Sequence, residues 1–191
     1  MTNGNRKRHE LICDQLTDLG YVALFEGGQE EILISIWNEP QGPGILKDIV
    51  SDKSMPGLAR FIAAEMLFDS DDNFPAPELK QVLIDLYVTA LSENFTEVAN
   101  TWGLPGIFVG FTGEHVFVLG EGMVPALEAL LDNSSRVYYE GSKESTMGHA
   151  YQYRVKDIAA YLIAQIKDIP LDFDADPAQR DIAISNLKEM I

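Results

Sequence analysis

A mainly α fold is predicted for this chain: a compact, irregular helical bundle with one long insertion and room for one small β-hairpin. Three observations carry that prediction. Between residues 153 and 167, Val155, Ile158, Ala159, Leu162, Ile163 and Ile166 recur at helical spacing, leaving Lys156, Asp157, Gln165 and Lys167 off the stripe. Residues 78–92 repeat the pattern with Leu79, Val82, Leu83, Leu86, Ala90 and Leu91. A chain of 191 residues with 46% hydrophobic and 23% charged side chains also has globular composition and can bury a core without staples.

In chain order, residues 7–19 form an amphipathic helix that Gly20 is expected to stop. Ile32–Trp37 is a short apolar run open to strand or buried helix, and the Pro/Gly-rich Asn38–Gly44 reads as a linker. A helix follows from about Pro56 to Phe68, and Pro75 and Pro77 suit the start of the 78–92 helix. Ile107–Phe111 and His115–Leu119 flank Thr112-Gly113, a pattern open to a hairpin or a short helix. Another helix is expected from about Gly122 to Leu131. Asp168–Asp176 is a linker, after which Asp176-Pro177 supplies an N-cap and first turn for a helix facing Ile184, Leu187 and Ile191 inward. The expected organisation is one α-helical domain over residues 1–169, with an acidic linker and C-terminal helix at 170–191 packing on it.

A resemblance sharpens the picture. The stretch Leu119-Gly120-x-x-Met123-Val124-Pro125-Ala126-Leu127-x-x-Leu130-Leu131-Asp132, followed by Arg154-Val155-Lys156-Asp157-x-Ala159-Ala160-x-x-Ile163-x-x-Ile166, resembles a HEAT-type (armadillo-like) repeat over residues 119–166. Residues 58–68 echo a second B helix. The chain departs from the pattern between Asp132 and Arg154, where residues 133–153 replace a short turn, so an irregular HEAT-like bundle is expected rather than a regular solenoid. The resemblance implies a protein-binding scaffold and carries no catalytic residue with it.

Charge narrows the partners. The formal net charge is −16, and residues 61–135 hold twelve carboxylates against one base, Lys80, for a net −11. Such acidity opposes phosphate-backbone binding and adhesion to anionic membranes, so neither nucleic acid nor a membrane is an expected partner. A field of this sign steers cationic proteins, although high net charge also serves plain solubility. Cys13 alone cannot form an internal disulfide, Glu10, Asp14 and Asp18 interrupt any signal-like apolar run after Arg6–Arg8, and no run reaches the length of a membrane span, so a cytoplasmic protein is expected.

The insertion at 133–153 is the candidate site. It holds four of the seven tyrosines and one of the three histidines, and long connections in compact domains tend to be functional or mobile. The candidate partner-binding residues are Arg136, Tyr138, Tyr139, Glu140, Lys143, Glu144, His149, Tyr151 and Tyr153. Tyrosine with serine and glycine is a recognition composition; equally, the tyrosines can serve to pin the loop onto the helices. A serine hydrolase needs a base and an orienting group, and neither a G-x-S-x-G elbow nor a Ser-x-x-Lys spacing is present.

Elsewhere, Glu65 is a candidate buried polar site: it falls on the helix face of Leu58, Phe61 and Ile62, where a carboxylate needs backbone N–H groups or an arginine. Trp102 is expected in the core. Asp69-x-Asp71-x-Asn73 and Asp172-x-Asp174-x-Asp176 begin like calcium loops but lack the sixth-position glycine and twelfth-position glutamate, and the histidines show no ligand spacing, so no metal or cofactor is expected. The expected function is a non-enzymatic, acidic protein-interaction domain, immunity-like or adaptor, binding a cationic protein. The alternative is a small-ligand-binding protein or hydrolase with its site around 133–153.

Overall fold

In the computed structural model, which describes residues 3–191, helices dominate and the two strands pair in one small antiparallel sheet. The chain divides into two compact units, one running to Ala90 and the other spanning Leu91–Ile191. The segment 170–191 belongs to the second.

The first unit contains α1 (Asn3–Phe25), α2 (Glu30–Trp37), α3 (Gly42–Ser51), α4 (Gly57–Ser70) and α5 (Lys80–Ser92), whose last residues lead into the second unit. Helix α4 is its spine, packed by α1 and α3. Its alanines at 59, 63 and 64 are buried and let neighbours approach, while Phe61, Ile62 and Leu67 fill the space around them. Phe61 contacts the rings of Tyr21 (5.7 Å) and Tyr87 (5.2 Å), so an aromatic cluster ties α1, α4 and α5 together.

Two sequence expectations change here and one open choice closes. Gly20 does not end α1; at φ 73° and ψ 172° it kinks the helix, which resumes to Phe25. Glycine alone reaches that backbone geometry cheaply, and burial of Tyr21 and Leu24 holds the resumed turn in place. The run Ile32–Trp37 is helical, with Glu30 and Glu31 at the positive end of its dipole. The supposed linker Asn38–Gly44 already contains the start of α3, where Pro43 occupies a first-turn position and Gly42 is required because a Cβ would lie 2.4 Å from the Trp37 carbonyl oxygen.

The second unit contains β1 (Gly103–Leu104), β2 (Phe108–Val109), α6 (Phe111–Leu119), α7 (Val124–Glu128), α8 (Ser142–Tyr151), α9 (Val155–Lys167) and α10 (Pro177–Lys188). Helix α9 is its axis. Val155 and every residue from Asp157 to Ala164 are buried, and α6, α7 and α10 pack against it. The expected cap of α10 forms: the Asp176 carboxylate accepts the Ala178 N–H at 2.9 Å.

The ambiguity at 107–119 resolves to helix: Thr112-Gly113 lies inside α6, and the hairpin that does form turns at residues 105–107 instead. A hairpin pairs Gly103 with Val109 and Leu104 with Phe108, and the second half of the apolar stretch lies in α6. The helix expected at 122–131 is shorter: a 3₁₀ turn covers Gly120–Met123, α7 takes Val124–Glu128, and isolated turns follow at Leu130 and Leu131. The insertion at 133–153 is not structureless, since it contains α8 and an extended leg paired to the start of α9.

Cys13 lies in the core, where burial, and then the charges of Asp14, Asp52 and Glu10, push its thiol up to about 11. Thiolate is the reactive species. A thiol-disulfide exchange reagent at neutral pH is therefore expected to modify Cys13 only as fast as the chain unfolds; rapid stoichiometric labelling of the native protein would contradict this burial.

Candidate functional site

The insertion is held by its backbone before its side chains act. The Asn133–Val137 leg runs antiparallel to the start of α9: Tyr153 O accepts the Val137 N–H at 3.1 Å, Ser135 O accepts from Val155 at 2.9 Å, and Asn133 O accepts from Lys156 at 3.0 Å. Farther on, Tyr138 O accepts the Ala99 N–H at 2.7 Å. The Asn100 side chain then clasps the Glu140 peptide, donating to its carbonyl at 2.8 Å and accepting its N–H at 3.0 Å. Gly141, at φ 83°, turns the chain into α8.

The four tyrosines divide by role. Tyr139 and Tyr153 are buried, and their hydroxyls donate to the carbonyls of Gly103 and Pro105, each at 3.0 Å. Burial raises both phenols, Tyr153 to about 12, so both remain neutral donors at ordinary pH. Gly148 of α8 lies against the Tyr139 ring, where a Cβ would come within 2.6 Å of Cδ2. Tyr151 is half-buried and stacks on Tyr153 at 5.3 Å. Tyr138 is different: its backbone is fixed, yet its side chain is 68% exposed. Arg136, Glu140, Lys143 and His149 are also exposed and Glu144 is half-buried; Arg136 donates to the Gln152 side chain at 2.9 Å.

A buried ionic hub lies beneath the insertion. Asp157 is fully buried at the start of α9 and accepts from the Arg154 N–H at 2.9 Å and from its guanidinium at 2.9 and 3.0 Å. Arg180 of α10 is also fully buried, with Nε 3.2 Å from the same carboxylate. Its Nη1 donates to Asp174 O (2.7 Å) and Ala175 O (3.1 Å), its Nη2 donates to Tyr151 O (2.7 Å), and its guanidinium sits 5.3 Å from the Tyr153 ring centroid. Arg154 and Lys156 both reach Asp181 at the outer edge. Burial works against ionisation of Asp181, but their hydrogen bonds outweigh it and hold that carboxyl below its ordinary range.

This hub was missed in the sequence, although one signal was present: Arg180 precedes Ile184 and Leu187 at helical spacing, placing a cation on the buried stripe of α10. The outward face of α6 was missed as well. Phe111, Phe117 and Val118 are exposed, while the buried positions are Thr112, Gly113, Val116 and Leu119.

The other candidates take structural positions. Glu65 is 1% exposed in the first unit and accepts from the Tyr21 hydroxyl at 3.1 Å and from the Tyr87 hydroxyl. Both phenols are themselves buried, which closes the carboxylate to substrate. Trp102 is buried with its indole N–H donating to Thr96 at 3.1 Å. His149 Nδ1 lies 3.0 Å from Ser145 O of its own helix. The cleft beside it, about 150 Å³, is lined by Arg136, Tyr138, Tyr139 and neighbours, and among the described lining residues there is no carboxylate that could orient the imidazole as a base. Asp71 pairs with Lys47 at 2.8 Å and accepts the Asn73 N–H, and Asp174 accepts the Asp176 N–H, so both acidic repeats form turns. Among the described residues, no group of three His, Cys, Asp or Glu side chains is placed to hold a metal ion, and no helix is long and apolar enough to cross a membrane.

No family model, curated protein or solved structure matches the chain.

Removing the Arg180 guanidinium leaves Asp157 with Arg154 alone and takes a donor from the buried carbonyls of Tyr151, Asp174 and Ala175. Arg180→Met is therefore expected to lower stability by about 3–5 kcal/mol in urea unfolding. A single-variant loss below about 1 kcal/mol would place the pair among weak surface bridges instead.

Proposed function

We propose that the chain is a non-enzymatic protein-interaction domain whose partner is a cationic protein, in the manner of an immunity protein or an adaptor. The observation that carries this reading is Tyr138. A large aromatic side chain stands 68% exposed on backbone fixed from both sides, between a leg paired to α9 and the buried Tyr139. An aromatic on backbone already ordered before binding spares the backbone part of the ordering cost, and tyrosine itself has few rotatable bonds to fix, which suits it to anchor interfaces.

Charge supports the choice of partner. Most bases of the second unit are spent internally: Arg154, Lys156, Lys167, Arg180 and Lys188 all pair with carboxylates of the same unit. Most of the remaining acidic side chains, including Glu93, Glu114, Glu128 and Asp172, face solvent. An unbalanced negative field of this kind accelerates encounter with a basic surface and repels phosphate and anionic lipid. The packing of α7 against α9 supports the HEAT-like reading, with 133–153 as an elaboration of the inter-helix turn. A reduced, cytoplasmic setting accords with the single buried thiol.

The test is capture of partners from the native source on the immobilised full-length chain, followed by affinity measurement. The expected partner is rich in lysine and arginine, binds progressively more weakly as salt rises, and loses at least about tenfold in affinity to Tyr138→Ala. A specific partner indifferent to both salt and Tyr138→Ala would overturn the reading.

A further inference from the structure

Helix α6 packs the wrong way round for a core helix. Its sequence is apolar on nearly every face, a pattern that ordinarily marks complete burial. Yet its buried face consists of Thr112, Gly113, Val116 and Leu119, while Phe111, Phe117 and Val118 are 43, 36 and 50% exposed. Close packing enforces this orientation. A Cβ at Gly113 would lie 2.8 Å from the Trp102 carbonyl oxygen, so the helix approaches its support through glycine and turns its aromatics outward. The hairpin immediately before it adds Ile107 and Phe108, both exposed. Five large apolar side chains exposed within twelve residues exceed the scattered hydrophobes of an ordinary surface.

The charge along this segment is one-sided. No lysine or arginine occurs anywhere between Lys80 and Arg136, and the exposed Glu114 lies on the helix itself. At the hairpin end, Ile107 opens onto a cleft of about 430 Å³ with walls formed by Tyr151 and Phe173 and with Asp172 and Asp174 at its edge. Phe173 is held there by Gly106, where a Cβ would come within 2.9 Å of it, and by the edge of the Tyr161 ring at 5.4 Å. Aromatic walls beside carboxylates are the environment that takes a lysine or arginine side chain, through cation–π attraction and ion pairing.

From this we infer that the α6 face and the adjoining cleft dock a basic amphipathic helix of the partner protein. Its apolar side covers Phe111, Phe117 and Val118, and one of its cations enters the cleft between Tyr151 and Phe173. The inference rests on the cationic-partner reading and adds a second contact surface to it. A second copy of this chain is the wrong occupant, because it would bring Glu114 and Asp172 against their own kind.

Fluorescence anisotropy on the full chain tests this with a labelled amphipathic helical peptide made only of leucine and lysine, and a control in which glutamate replaces lysine. The lysine peptide is expected to bind, with affinity falling as salt rises. Phe117→Ser with Val118→Ser, and separately Asp172→Lys, each weaken it at least about tenfold. All three positions are exposed, so circular dichroism should be unchanged, and Tyr138→Ala should bind the peptide as the parent does. Unchanged affinity in both α6-face and cleft variants overturns the inference, as does equal binding of the glutamate peptide. Self-association abolished by Phe117→Ser with Val118→Ser assigns the face to a second copy and overturns it too. A lysine peptide weakened only by Tyr138→Ala removes the α6 face but leaves the cationic-partner reading standing; no binding to either surface removes both.

Discussion

Asp157 and Arg180 meet in the interior of the second unit with neither exposed to water, and most of what that unit presents outward depends on their meeting. A lone buried carboxylate or guanidinium would be strongly unfavourable. Asp157 therefore takes three bonds from Arg154 and both Arg180 Nη atoms donate to carbonyls, while Arg180 Nε faces the Asp157 carboxylate as an ion pair without a hydrogen bond. Those partners come from segments that sequence separates widely: the first turn of α9, the end of α8 at Tyr151, the linker at Asp174 and Ala175, and α10 itself. One guanidinium thereby fixes where α8 ends, where the linker runs and how α10 lies on α9. Its position over Tyr153 adds the base of the insertion to the same set.

The consequence for the surface is rigidity. Tyr139 and Tyr153 use their hydroxyls on carbonyls of the hairpin region, leaving Tyr138 to point outward from an already ordered backbone. The Tyr151–Phe173 cleft is assembled from the two segments that Arg180 gathers, the end of α8 and the linker. Most of the positive charge is paired within the unit while most carboxylates face solvent, so the chemistry that holds the fold also sets the sign of its surface. The first unit solves its own buried-charge problem differently, giving Glu65 two tyrosine hydroxyls within an aromatic cluster.

Helices with clean apolar stripes were legible from sequence because burial on one face writes itself into spacing: α9, α5 and the capped start of α10 all lie where periodicity put them. Kinks and short elements were not. Gly20 looks the same in sequence whether it ends a helix or bends one; the choice belongs to Tyr21 and Leu24, which find a core beyond it. The insertion's composition marked it as a place of interest, but composition could not separate Tyr139 and Tyr153, which face inward, from Tyr138, which does not. That distinction depends on carbonyl acceptors at Gly103 and Pro105, distant in sequence. Likewise Asp157 lies off the apolar stripe of α9 and reads as solvent-facing until Arg180 arrives from α10. The α6 face escaped notice because a run of apolar residues suggests burial, and only the glycine contact shows which side is turned outward.

Amide hydrogen exchange on the Asp157→Asn variant tests most directly whether one ion pair organises these surfaces. The account predicts a joint loss of protection at Val137, at the C-terminal turn of α8 and across α10, with α4 of the first unit keeping its parental rates. Loss confined to α10, with residues 133–153 as protected as in the parent chain, would contradict it and reduce the pair to a local clamp.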